Sequence, residues 1–151
     1  MQNNSETSLS AAELRDLQCI AGMIIPASTE FGVPGADDPI IFADIVKSLG
    51  RDQRDVQAAI SSLCALAGGT FADQDASRRY AAAASFRARG GPEVTALSRA
   101  ILQCYYRDDR VVLSLGLEPR PPFPKGHTLE QGDWSLLDPV QARPKLWRDA
   151  P

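Results

Sequence analysis

Hydrophobic positions recur at helical spacing along most of the chain, and they predict a series of short helices. The first helix follows the segment Ser10-Ala-Ala-Glu13, which has the pattern of a capping box. In that motif the serine hydroxyl accepts a hydrogen bond from a free helix amide, and the glutamate bonds back to the serine backbone. Apolar residues then follow at every third or fourth position until Pro26 ends the pattern.

Two further helices are indicated after a loop that is rich in proline and glycine. Asp38-Pro39 combines a good N-cap residue with proline at the first helical position, and the apolar face that follows is closed by Gly50. A third helix is expected to open around Asp52 and to end at Gly68-Gly69, where glycine suits a helix C-terminus.

The pattern continues with a fourth helix over about Asp75 to Ala88 and a fifth that begins at Pro92. Val111–Leu115 is expected to add one more turn. No segment shows the sustained alternation of apolar and polar residues that is typical of a strand. The sequence therefore predicts an all-α fold, a small bundle of about five helices.

The last 35 residues, Leu117–Pro151, differ in kind, because they hold seven of the eleven prolines and both tryptophans. Proline lacks the amide donor that a helix needs and restricts the residue before it. The large apolar residues of this segment nevertheless argue against disorder. We therefore predict a flexible N-terminus (1–8), a helical body (9–116) and an extended C-terminal arm (117–151) that docks on the body and on a partner.

Two interpretations of the arm remain open, since it either wraps its own helices or covers the surface of a partner. Interface hot spots are enriched in tryptophan, tyrosine and arginine. On that ground, and with Phe123 added as a large apolar residue of the arm, the candidate partner-binding residues are Tyr105, Tyr106, Arg120, Phe123, Trp134, Arg143 and Trp147.

Composition and charge exclude several classes of function. A net charge of −3 argues against a nucleic-acid binder, and the longest apolar run, Cys19–Pro26, is too short to span a membrane. Three widely spaced cysteines and one histidine, His127, suit free thiols better than a metal centre or a disulfide framework. The arginines at 78, 79, 87 and 89 are expected on a solvated face of the fourth helix, with contact to an acidic partner as the alternative. No catalytic, cofactor-binding or metal-ligating residue is assigned.

The C-terminal third carries more specific motifs. They are Cys104–Val111 (CYYRDDRV), Glu118–Gly126 (EPRPPFPKG), Gly132–Val140 (GDWSLLDPV) and Arg143–Arg148 (RPKLWR). The order of these motifs resembles the gluconate 2-dehydrogenase subunit 3 family, the small subunits of flavin-dependent sugar and polyol dehydrogenases. The N-terminal part agrees through Ile24-Ile25-Pro26, Pro34-Gly35-Ala36 and a helix that carries Asp44.

The resemblance implies a non-catalytic partner subunit. In such complexes a large subunit of the glucose–methanol–choline oxidoreductase type carries FAD, and many complexes also hold a cytochrome c subunit. The small subunit is needed for the large one to fold stably and commonly for its export. Substrates of this broad type include gluconate, sorbitol, fructose and glucosides oxidised at the 3-hydroxyl.

Many members carry a twin-arginine signal peptide, whereas Met1–Ser10 contains no arginine. A cytoplasmic complex is therefore expected, or a periplasmic one if a signal was removed or the chain travels with an exported partner. The alternative function is that of a free-standing helical adaptor whose arm packs on its own body.

Overall fold

The structure, a computed structural model, describes residues 9–121, 123–126 and 130–145. Within these residues there is no β-strand, and Ser28 and Val33 form an isolated antiparallel bridge. The prediction of an all-α fold is therefore confirmed. The α-helices are α1 (Ala11–Ile24), α2 (Pro39–Ser48), α3 (Gln53–Ala67), α4 (Ala76–Arg89), α5 (Pro92–Tyr105), α6 (Asp109–Ser114) and α7 (Asp138–Gln141). Short 3-10 helices lie at Gly50–Asp52, Phe71–Asp73 and Trp134–Leu137.

Most helices begin and end where the sequence indicates. The hydroxyl of Ser10 accepts from the backbone N–H of Glu13, whose carboxylate accepts from the backbone N–H of Ser10 at 2.7 Å, so the capping box is complete. Asp38 and Asp75 cap α2 and α4 through their side chains. Gly68 ends α3 with φ of 82°, in the left-handed region that favours glycine.

The contacts within the chain divide it into two units, Met1–Pro119 and Arg120–Pro151. We call them the first unit and the second unit. In the first unit α3 packs against α1, α4 and α5, while α2 packs against α5. The largest fully buried side chains of this unit come from α1, α2, α3, α5, α6 and the 3-10 helix before α4: Leu17, Ile41, Ile45, Val56, Ile60, Leu63, Phe71, Ile101 and Val111.

One carboxylate belongs to this core. Asp16 of α1 is only 3% exposed, and its Oδ1 accepts from the backbone N–H of Ala72 at 2.7 Å. Its Oδ2 accepts from the thiol of Cys64 on α3 at 3.3 Å. A buried carboxylate is costly unless it is hydrogen-bonded, and these contacts supply the bonds. Asp16 therefore joins α1 and α3 to the 3-10 turn before α4.

The second unit differs in part from the extended arm that its prolines predict. Residues 134–141 form a 3-10 turn that runs into α7. Asp133 starts this segment, because its carboxylate accepts from the backbone N–H of Ser135 at 3.0 Å and from its hydroxyl at 2.6 Å. Pro139 lies in the first turn of α7, where a missing amide donor removes no helical hydrogen bond.

Candidate interaction surfaces

Large apolar side chains of the second unit are exposed. Phe123 exposes 85% of its surface and Trp134 exposes 65%. Leu136, Leu137 and Val140, on the same short helical segment as Trp134, are exposed as well. Several large apolar side chains exposed on one short segment are a common sign of an interaction site, so this segment is a candidate interaction surface.

The arginines of the second unit have different environments. The Nη2 atom of Arg120 donates to the carbonyl of Gly126 at 2.7 Å, so its guanidinium closes the proline-rich turn. Arg143 follows α7 and is exposed. Trp147 and His127 lie outside the described residues. The structure thus places Trp134 and Arg143 at opposite ends of one helical segment.

The paired tyrosines at the end of α5 take separate roles. The Tyr105 ring is 4% exposed, and its hydroxyl donates to the carbonyl of Pro34 at 3.2 Å. Burial raises the pKa of this phenol above its ordinary value. The Tyr106 ring is 54% exposed and meets Tyr105 edge to face, with ring centroids 5.2 Å apart. Tyr106 is therefore the ring of this pair that faces solvent.

The charged residues after the tyrosines bind other parts of the first unit. Nη2 of Arg107 lies 2.6 Å from Oδ2 of Asp44 on α2, and it also donates to the hydroxyl of Ser48 at 2.9 Å. The same nitrogen lies 3.5 Å from the sulfur of Cys104. Asp44 and Arg107, which belong to separate parts of the resembled pattern, are thus partners in the fold.

Arg110 connects two helix N-termini. Its guanidinium donates to Asp38, the N-cap of α2, at 2.8 Å and to Asp108, the N-cap of α6, at 2.9 Å. The hydrogen bonds from Arg110 hold the pKa of both carboxyls below the usual value. The two carboxylates in turn raise the pKa of Arg110. Arg110, Asp38 and Asp108 are thus paired with one another within the first unit.

An apolar groove in the first unit was not predicted from the sequence. It has a volume of about 350 Å³ and lies between α4 on one side and α1 and α5 on the other. Tyr80, Ala83 and Arg87 line it from α4, while Met23 and Val94 face them from α1 and α5. Tyr80, Ala83 and Arg87 are spaced i, i+3 and i+7, and this spacing in the sequence indicates that they share one face of α4. Sequence alone does not show whether such a face is covered.

Arg79 corrects the prediction of a uniformly solvated face on α4. It is partly buried, and its Nη1 donates to the sulfur of Cys19 on α1 at 2.8 Å. Its Nε is buried without a hydrogen-bond partner among the described residues. Arg78, Arg87 and Arg89 are exposed as expected.

All three thiols are free. Burial is the main cause that raises the pKa of Cys64 and of Cys104, so both favour the protonated thiol. Cys104 lies in the core, while Cys19 and Cys64 are partly buried beside it.

Neither a protein-family model, a curated protein nor a solved structure matches this chain. In the part that the structure describes, no helix is long and apolar enough to cross a membrane. The same residues contain no group of three or more histidine, cysteine or acidic side chains placed to hold a metal ion.

Proposed function

We propose that the chain is a non-catalytic small subunit that binds and stabilises an FAD-dependent sugar or glucoside dehydrogenase of the glucose–methanol–choline type. FAD and the catalytic groups belong to the large subunit, and a cytochrome c subunit joins the complex in those systems that pass electrons to quinone. We propose that this complex lies in the cytoplasm. The observation that carries the proposal is the exposure of Trp134 on a capped helical turn.

Exposed apolar side chains on a short ordered segment favour a protein partner. Burying one such side chain fully is worth about 1.5–3 kcal/mol, so Trp134 with Leu136 and Val140 offers a substantial gain to a surface that covers them. The N-cap bonds of Asp133 order the segment beforehand, which lowers the entropy lost on binding. A subunit that binds only the folded partner stabilises it by mass action.

The proposal is tested by isolating the tagged full-length chain from its native source and recording the visible spectrum of what accompanies it. A yellow complex with about one FAD per large subunit is expected, because one flavin serves each active site of this enzyme type. Deleting the chain's gene should lower the soluble yield of the flavoprotein.

Trp134→Ala should weaken the complex, and Phe31→Ala, which removes another exposed aromatic ring from the first unit, is the matched control. Truncating an interface hot spot typically costs about 2 kcal/mol or more. Isolation of a colourless, stable monomer would favour the free-standing adaptor instead. If Trp134→Ala and Phe31→Ala weakened the complex equally, Trp134 would not be part of the interface.

A further inference from the structure

The groove between α4, α1 and α5 combines apolar walls with a single charged side chain. Its lining is apolar apart from Arg87 and Ser98, and Tyr80 stands exposed at its edge. Its volume of about 350 Å³ is enough for one or two large side chains of another molecule. An apolar groove of this kind between helices resembles the grooves that accept an amphipathic helix.

All charged side chains of α4 are positive. The helix carries four arginines and no aspartate or glutamate, in a chain whose net charge is −3. Arg78 pairs with Asp75, and Arg79 bonds to Cys19. Arg87 and Arg89 form no ion pair with any residue in the described ranges. Of these two, Arg87 lines the groove, so its guanidinium is available to a molecule that binds there.

We propose that this groove binds an acidic amphipathic helical segment of a partner protein. Apolar side chains of the segment fill the space beside Ala83 and Met23, while an adjacent carboxylate pairs with Arg87, whose planar guanidinium suits bidentate binding. The charge complementarity favours an acidic segment over a neutral or basic one. This surface belongs to the first unit, so it is independent of the contact proposed for Trp134.

The test uses two synthetic helical peptides and the full-length chain. One peptide has leucines along one face and glutamates on both flanks; the other has lysine at every glutamate position. Fluorescence anisotropy should show saturable binding of the glutamate peptide, at least about tenfold tighter than the lysine peptide, because like charges across an interface disfavour binding. Higher salt should reduce the difference.

Two pairs of variants locate the site. Ala83→Phe fills the groove and should abolish binding, whereas Ala84→Phe, at an exposed position of the same helix, should leave it unchanged. Arg87→Glu should invert the preference between the peptides, and Arg54→Glu, an exposed arginine of α3, should not. Arg87 is exposed, so its variant reports on the groove even if Ala83→Phe does not fold.

The proposal is overturned if both peptides bind equally, if neither binds, or if Arg87→Glu keeps the original preference. A further outcome would also overturn it. If the chain alone is a dimer in light scattering and Arg87→Glu makes it monomeric, the occupant of the groove is a second copy of the chain.

Discussion

Arg110 and Asp38 lie 72 residues apart in the sequence and are joined by two hydrogen bonds, Nη2 to Oδ1 at 2.8 Å and Nη1 to Oδ2 at 3.2 Å. Because Asp38 also caps α2, one carboxylate both starts a helix and ties it to the N-terminus of α6. The residues after α5 that carry the resemblance to a small-subunit family therefore help to hold the first unit together.

Asp38→Ala should lower the free energy of unfolding by about 1 kcal/mol or more, since losing an N-cap alone typically costs this much. Asp38→Asn should cost less, because asparagine keeps an acceptor for the backbone N–H of Ile40 while losing the charge that faces Arg110. Urea unfolding followed by circular dichroism measures both, with the exposed Asp109→Asn as control. Equal losses of stability in Asp38→Ala and Asp38→Asn would mean that pairing with Arg110, and not helix capping, determines the effect.

Acid should destabilise the fold through Asp38 and Asp108. Their pKa values are lowered in the folded chain by hydrogen bonds from Arg110, so the unfolded chain binds more protons as the pH falls. The stability that they contribute is present above the unfolded carboxyl pKa of about 3.9 and is lost as the pH falls through the lower folded values. Urea midpoints between neutral and acidic pH should decline less steeply in the Asp38→Asn, Asp108→Asn double variant than in the parent. An unchanged slope would contradict this assignment.

Asp16→Ala should be among the more destabilising single substitutions in α1. It leaves the backbone N–H of Ala72 without its acceptor, and an unsatisfied buried donor costs about 1–3 kcal/mol. Asp16→Asn retains an acceptor and should cost less. Thermal unfolding of both, beside the exposed Glu30→Ala, gives the comparison. A loss in Asp16→Ala no larger than in Glu30→Ala would show that the bond to Ala72 is dispensable.

Ser10→Ala should shorten α1 at its first turn and lower stability by about 1 kcal/mol, the usual value for a lost N-cap. Glu13 then also loses its bonds to the Ser10 hydroxyl and keeps those from the backbone N–H of Ser10 and from the side chain of Gln57, each at 2.7 Å. Hydrogen exchange of the amides at the start of α1 should accelerate. Ser85→Ala, at an exposed position inside α4, is the control and should have little effect.

The fluorescence of Trp134 should show that this side chain is exposed to solvent. In a Trp147→Phe variant the fluorescence of the isolated chain should be readily quenched by acrylamide, because most of the Trp134 side chain is open to solvent. Addition of the flavoprotein partner should protect it. A Trp134 that is shielded in the isolated chain would favour an arm packed on its own body.

Local signals in the sequence were enough to place the helices. Ser10 and Asp38 are residues that cap helices in most contexts, and Gly68 supplies a left-handed conformation that ends α3, so each boundary depends on only a few neighbouring residues. The turn at Trp134 was missed because the prolines around it argued against any helix. Proline is tolerated in a first turn, and Asp133 supplies the cap that makes this turn stable.

Contacts between side chains of separate helices were harder to predict from the sequence. Arg79 and Arg87 look alike in the sequence, yet one bonds to Cys19 of α1 and the other lines an open groove. Which outcome applies depends on how α4 is rotated against α1, and no periodicity within α4 determines that angle. The pairing of Asp44 with Arg107 likewise depends on the packing of α2 against α5.

The span between Asp38 and Arg110 has a consequence for how the protein is made. At about 5–20 residues per second, a ribosome needs about 4–14 seconds to extend the chain by the 72 residues from Pro39 to Arg110. For more than half of that interval no residue of α5 or α6 has been translated, and Ile41 and Ile45 lack the surface that finally buries them. The nascent chain therefore passes through a period in which the segment of α2 is fully translated and its apolar face is uncovered, so that this face is open to a chaperone.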